Sequence, residues 1–118
     1  MRKLIFFAFL VFLAFVGALG CKHAPSGPTE HIKVVMKKYN FDPSVIKVKS
    51  GDNIELEVSA ADVQHGFSVP QLGIKEAVQP GQPATITFKA PAKGEYGIEC
   101  SVICGPHHDD MHAKLVVD

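Results

Sequence analysis

From Ile32 to Val117 apolar side chains return at every second position, and that period dictates β-strands. Ile32, Val34 and Met36 form one such set. Ile54, Leu56 and Val58 alternate with Glu55 and Glu57, and Ala84, Ile86 and Phe88 alternate with Thr85, Thr87 and Lys89. Val45 to Lys49, Tyr96 to Cys100 and Ala113 to Val117 complete the series. Successive side chains of a strand point to opposite faces, so alternation marks a segment buried on one side. Ser50, Gly51, Asp52 and Asn53 supply a turn before the strand that starts at Ile54. No stretch of this region carries the stripe of an amphipathic helix. Many short strands separated by turn residues predict an all-β sandwich or barrel of antiparallel sheets.

The 118 residues suffice for one domain of ordinary size. The N-terminus is built differently. Arg2 and Lys3 precede an apolar, Phe-rich run from Leu4 to Leu19, and small Gly20 stands before Cys21. A basic start, an apolar middle and a small residue at the end describe a secretory signal. The run falls short of the ~20 residues a spanning helix needs. Gly20 and Cys21 resemble the cleavage box of bacterial lipoproteins, in which the Cys becomes the lipidated first residue, although that box usually has Leu where Ala18 stands. An uncleaved signal anchor is the other reading. Both export the domain and tether it to a membrane on the periplasmic side. Residues 22–30 carry two Pro, a Gly, a Ser and a Thr without periodicity and read as a linker. The expected organisation is a signal or anchor over 1–20, a linker over 21–31 and a β-domain over 32–118. His23 and His31 are expected in solvent. Loss of Arg2 and Lys3 with the signal leaves a weakly acidic domain. That balance suits a basic partner and gives no support to nucleic-acid binding.

One stretch departs from the alternation. Cys100 and Cys104 lie four residues apart, His108 follows four residues later and Met111 three after that. Soft thiolate and thioether donors select copper, and imidazole suits it in both oxidation states. A Cys, His and Met set with a weak axial Met is a recipe for electron-transfer copper. Such a centre needs a further nitrogen, and His65 is the candidate, placed between two strand-like segments and so able to sit at a strand end. Two Cys remaining in an exported chain also raise a disulfide. A disulfide over so short a loop would constrain the unfolded chain little and leaves His108 and Met111 without a role. His107 and His112 read as neighbours of the site or as solvated side chains, and Asp109 and Asp110 as exposed charges.

The spacing C-x3-C-x3-H-x2-M resembles the binuclear CuA loop of cytochrome c oxidase subunit II. The segment DVQHGFSV over 62–69 looks like that family's upstream His segment, and KYNFDP over 38–43 matches in style. The similarity covers roughly 32–118 and is closest to the short subunit II of B-type haem-copper oxidases. It implies a cupredoxin-like Greek-key β-sandwich. It implies that the thiolates of Cys100 and Cys104 bridge two copper ions and that His65 and His108 each bind one ion. Met111 and the backbone carbonyl of Val102 would be the weak ligands. It further implies single-electron transfer from a cytochrome c-like donor to an oxidase or reductase, with no catalytic site in the domain itself.

The chain departs from the family in three respects. The position of Val102 is often Glu there, and its side chain helps hold magnesium at the catalytic subunit, which Val cannot do. The chain has no Trp, whereas longer subunits II use aromatic residues for electron uptake; Phe67 or Tyr39 could stand in. The two-helix hairpin of long subunits II is also not expected in this chain. Two other functions use the same residues: a mononuclear blue-copper carrier built on His65, Cys104, His108 and Met111, and a periplasmic copper-delivery or storage protein. A hydrolase has no support, because no nucleophile and base stand apart from the metal set.

Overall fold

The structure, a computed structural model, describes residues 28–118. The expected signal or anchor at 1–20 and the lipidation expected at Cys21 lie outside the described residues. The strands are β1 (Thr29–Lys37), β2 (Asn40–Asp42), β3 (Val45–Val48), β4 (Asn53–Ala60), β5 (His65–Val69), β6 (Ile74–Val78), β7 (Ala84–Lys89), β8 (Gly94–Glu99) and β9 (His112–Val117). Short 3₁₀ turns at Pro70–Leu72 and His108–Asp110 are the helical elements among the described residues. One sheet runs β2-β1-β4-β7 and the other β3-β9-β8-β5-β6.

The period-two segments become the strands whose inner faces meet. Val34, Met36, Ile54, Leu56 and Val58 from one sheet bury against Ile46, Val48, Phe67, Val69, Ile98, Leu115 and Val117 from the other. Full burial of each such side chain is worth ~1.5–3 kcal/mol. The outward residues Glu57, Thr85, Thr87, Glu95 and Lys114 stay exposed. The all-β sandwich expected from the sequence is therefore present.

Its pairing differs in two places from an antiparallel sandwich. β1 runs parallel to β4 from Thr29↔Asn53 to Met36↔Ala60, and β3 runs parallel to β9. After β2 the chain crosses to the opposite sheet as β3, so a crossing rather than a hairpin sets the direction of that strand. β1 also starts at Thr29, before the alternation becomes regular, because its first residues still pair with β4.

Two features of this topology build one pole of the sandwich. β8 and β9 are antiparallel neighbours with Glu99 opposite His112. The chain between them, 100–111, is thus a loop pinned at both ends, and the Cys100 amide donates to the Met111 carbonyl at 3.3 Å. β5 pairs with β8 through Ser68↔Glu99. The start of β5 therefore comes up beside the start of that loop.

Candidate metal centre

His65 opens β5 and is fully buried. Its Nδ1 stands 3.9 Å from the Cys100 Sγ. The two sulfurs lie 3.8 Å apart. On the far side the His108 Nδ1 is 3.8 Å from the Cys104 Sγ, and the Met111 Sδ is 3.9 Å from the same sulfur. The Cys100 thiol donates to the Val102 carbonyl at 3.1 Å. The structure thus brings together all six groups singled out in the sequence. Both Cys are free and buried, so the pair is not a disulfide. Met111 is fully buried, while His108 keeps one side toward solvent.

Two sulfurs can share an ion only if they stand closer than the sum of two metal–sulfur bonds, ~4.6 Å by analogy with zinc thiolates. The 3.8 Å separation satisfies that. His65, Cys100 and Cys104 offer donor atoms all within 4.8 Å of one another. Sulfur, nitrogen and thioether donors in a buried pocket suit copper rather than magnesium or calcium.

The Cys104 thiol carries its proton where it lies. Burial pushes the Cys104 thiol up, and its hydrogen bond and electrostatic interaction with the neighbouring Cys100 add to the rise, to about 11. A metal must therefore displace a proton to bind there.

Asp62 holds the buried imidazole from behind. Its Oδ1 accepts from the His65 Nε2 at 2.6 Å and from the Val63 amide at 2.7 Å, and its Oδ2 accepts from the Lys38 amide at 2.7 Å. Desolvation pushes this carboxyl up, but the Lys38 amide, the His65 ring and the Val63 amide outweigh it and hold the group down at about 2. An ionised Asp62 can only accept, so it keeps the ring proton on Nε2 and leaves the Nδ1 lone pair facing Cys100.

Gly66 allows the loop to approach β5. A β-carbon there would fall 2.8 Å from the Val102 nitrogen and 2.9 Å from the Ser101 nitrogen. The bare backbone instead accepts the Ser101 amide at 3.2 Å and aims its own N–H at the Cys100 sulfur at 3.5 Å.

Sequence reasoning assigned no role to Asp62 or Gly66, although both flank His65 in the segment it quoted. The offset of three between Asp62 and His65 was the available signal. His107 is exposed, meets Tyr39 edge-on and faces Asp110 at 3.5 Å. His112, Asp109 and Asp110 are exposed, as expected. His31 is exposed beside Glu55. Phe67 is not an aromatic at the surface. It is fully buried and packs edge-on against Phe41, because it shares the inward face of β5 with His65. Tyr39 is half-buried and lies against the loop.

Comparison with known proteins agrees with this architecture. A family model described as a cupredoxin-like domain matches residues 6–117. The cytochrome c oxidase subunit 2 of Thermus thermophilus is 36% identical over 95 residues, covering 78% of this chain and 69% of that protein. Among solved structures, the periplasmic domain of subunit II of cytochrome oxidase from Bradyrhizobium japonicum superposes with a TM-score of 0.69 at 24% identity, covering 75% of this chain and 83% of that one. Auracyanin A, a "blue" copper protein from Chloroflexus aurantiacus, superposes with a TM-score of 0.65 at 20% identity, over 77% of this chain and all of that one. At these identities the two superpositions establish the fold. The match over nearly the whole chain, together with the relative from Thermus, places the protein in the cupredoxin-like domain family, among the domains of cytochrome c oxidase subunit 2.

Proposed function

We propose that this chain is an extracytoplasmic, membrane-tethered electron-transfer domain. Its centre would be binuclear copper held by His65, Cys100, Cys104, His108, Met111 and the carbonyl of Val102. One observation carries the reading. The two thiols face each other at 3.8 Å, with one imidazole set against each, His65 on Cys100 and His108 on Cys104. A mononuclear site has use for one buried thiol, and here two are matched.

Bound copper would supply a one-electron couple. The chain's part is to hold the donors still. Five of the six donor residues lie on a loop pinned between adjacent strands, and the sixth starts a strand buried along its whole length. Donors fixed in one geometry need little rearrangement when the charge changes, which is the condition for fast electron exchange. Burial of Cys100, Cys104, Met111 and His65 keeps water from the sulfurs. Asp62 fixes the tautomer of His65.

Electrons would come from a cytochrome c-like donor and pass to a terminal oxidase or reductase. The chain covers 69% of the first Thermus relative and 55% of a second sequence from that species. Among the described residues no helix is long and apolar enough to cross a membrane; the tether we propose is the N-terminal segment, through lipid at Cys21 or an uncleaved anchor.

The test is made on the chain expressed from Lys22 onward and loaded with copper. Two coppers per chain with one unpaired electron shared over both nuclei support the proposal. A single copper with a mononuclear signal points to a blue-copper carrier. Copper lost at once to a chelator points to delivery or storage. Either of these results overturns the binuclear reading.

A further inference from the structure

His65 and the loop at 100–111 are far apart in sequence, and a third segment that carries no donor touches both. It is the turn between β1 and β2. The amide of Lys38 donates to Asp62 at 2.7 Å, and Asp62 in turn holds the His65 ring. The Ala61 amide donates to the Met36 carbonyl at 2.8 Å, so the segment before Asp62 is also tied to the end of β1.

The next residue, Tyr39, lies on the loop. Its phenol oxygen is 2.5 Å, and its nearest ring carbons 3.2 and 3.3 Å, from where a β-carbon on Gly105 would stand. The ring therefore fills the space that Gly105 leaves free. It also meets the His107 ring edge-on, with centroids 5.3 Å apart. Gly105 and His107 govern the segment that carries His108. The His108 amide donates to the Gly105 carbonyl and the Met111 amide to the His108 carbonyl, each at 3.1 Å.

From this we infer that the Lys38 and Tyr39 turn is a brace setting the two imidazoles relative to each other, with Tyr39 the positioning residue for the loop. The inference rests on the proposed copper site, but the brace itself is a property of the metal-free chain. It acts by packing. An aromatic ring of this size wedged between a glycine and an imidazole removes the freedom of a loop that has no regular structure of its own apart from one short turn. The same turn holds the Asp62 carboxylate, so movement on one side is felt on the other.

The experiment compares Tyr39→Ala and Tyr39→Phe in the full chain. In the metal-free protein, hydrogen exchange is read at the amides of His108 and Met111 and, as a reference for global stability, at Leu56 and Val58 in β4. Tyr39→Ala is expected to speed exchange in the loop by about tenfold or more while the β4 amides move far less. Tyr39→Phe, which keeps the ring, is expected to restore the wild-type pattern. With copper loaded, Tyr39→Ala is expected to lose metal to a chelator about tenfold faster and to change the copper hyperfine splitting, again with rescue by Phe. Loop exchange that does not change, or that rises in step with β4, overturns the brace, and so does failure of Phe to rescue. If Tyr39→Ala does not fold, Tyr39→Leu replaces it and is judged by the same comparison. A wild-type chain that fails to bind two coppers refutes the proposed function and leaves the exchange result standing on its own.

Discussion

The Nε2 of His65 donates to the Oδ1 of Asp62 across 2.6 Å, and this one bond decides which ring nitrogen faces the Cys100 sulfur. Replacing Asp62 by Asn keeps the size of the side chain but removes the charge that fixes the tautomer. Loss of such a partner typically costs ten- to a hundredfold in metal affinity. Asp62→Asn is therefore expected to weaken copper retention by about that factor while the metal-free fold persists. A chelator-competition titration measures it.

Asp62 also gives the metal-free protein an acid limb. Its carboxyl is held at about 2, below the ordinary 3.8. A depressed acid stabilises the fold fully above its unfolded value and ceases to do so as pH falls through its folded value. The contribution is thus lost between roughly pH 4 and 2. About a third of the side chain is exposed (35%), and solvent screening makes the effect modest. Denaturant unfolding of the metal-free wild type should show stability falling in that window, and Asp62→Asn should flatten the slope.

Much of the architecture was legible because burial on one face leaves a period of two. β1, β4, β7, β8 and β9 all carry it. β5 does not, since all five of its residues are buried and a strand covered on both faces has no alternation to read. The clustering of the loop's candidate donor residues was legible for a different reason: they are close in sequence, so their offsets carry the geometry. Contacts between distant segments leave no such trace. That Lys38 holds Asp62, or that Tyr39 fills the space at Gly105, depends on how two sheets face each other. The orientation of Phe67 was within reach. A strand that points His65 inward must point the residue two positions on the same way.

Gly66 predicts a steric result. An added β-carbon would press on the backbone nitrogens of Ser101 and Val102 at 2.9 and 2.8 Å, neither of which can turn aside as a side chain end could. Overpacking of this kind costs about 1–3 kcal/mol. It would also move the amide that points at the Cys100 sulfur. Gly66→Ala should lower the unfolding midpoint and shift the absorption of the copper-loaded protein. Gly97→Ala on β8, where nothing lies within 4 Å, is the control and should change stability by less than ~0.5 kcal/mol.

The thiol of Cys104 makes copper uptake depend on pH. Burial and its neighbour Cys100 raise it from the ordinary 9.0 to about 11, so at neutral pH it carries its proton. Binding releases that proton, and apparent affinity should rise by about tenfold per pH unit for each proton released. Calorimetry in buffers of different ionisation enthalpy counts the protons directly. The sign for stability is opposite. A raised acid favours the fold fully below its unfolded value, and that advantage is lost as pH climbs through about 11. The metal-free protein should therefore weaken on the alkaline side while its affinity for copper increases. An affinity that does not change with pH would mean that the thiol is already ionised before the metal arrives.

Cys100→Ser separates the two copper stoichiometries most sharply. Cys100 is buried, receives the Gly66 amide at 3.5 Å and donates to the Val102 carbonyl at 3.1 Å. A serine hydroxyl can take over the bond to Val102, so the fold should survive, but it is a hard and poor ligand for copper. In a binuclear site this thiolate is one of the two bridges, and its loss should reduce the bound copper from two ions to one and abolish the signal shared across both nuclei. In a mononuclear site built on His65, Cys104, His108 and Met111, Cys100 is a bystander 3.8 Å from Cys104, and the variant should keep its single copper and its spectrum. Copper quantitation and EPR on the same sample distinguish these outcomes. A Cys100→Ser protein that still held two equivalent coppers would contradict the bridging role assigned to this thiol.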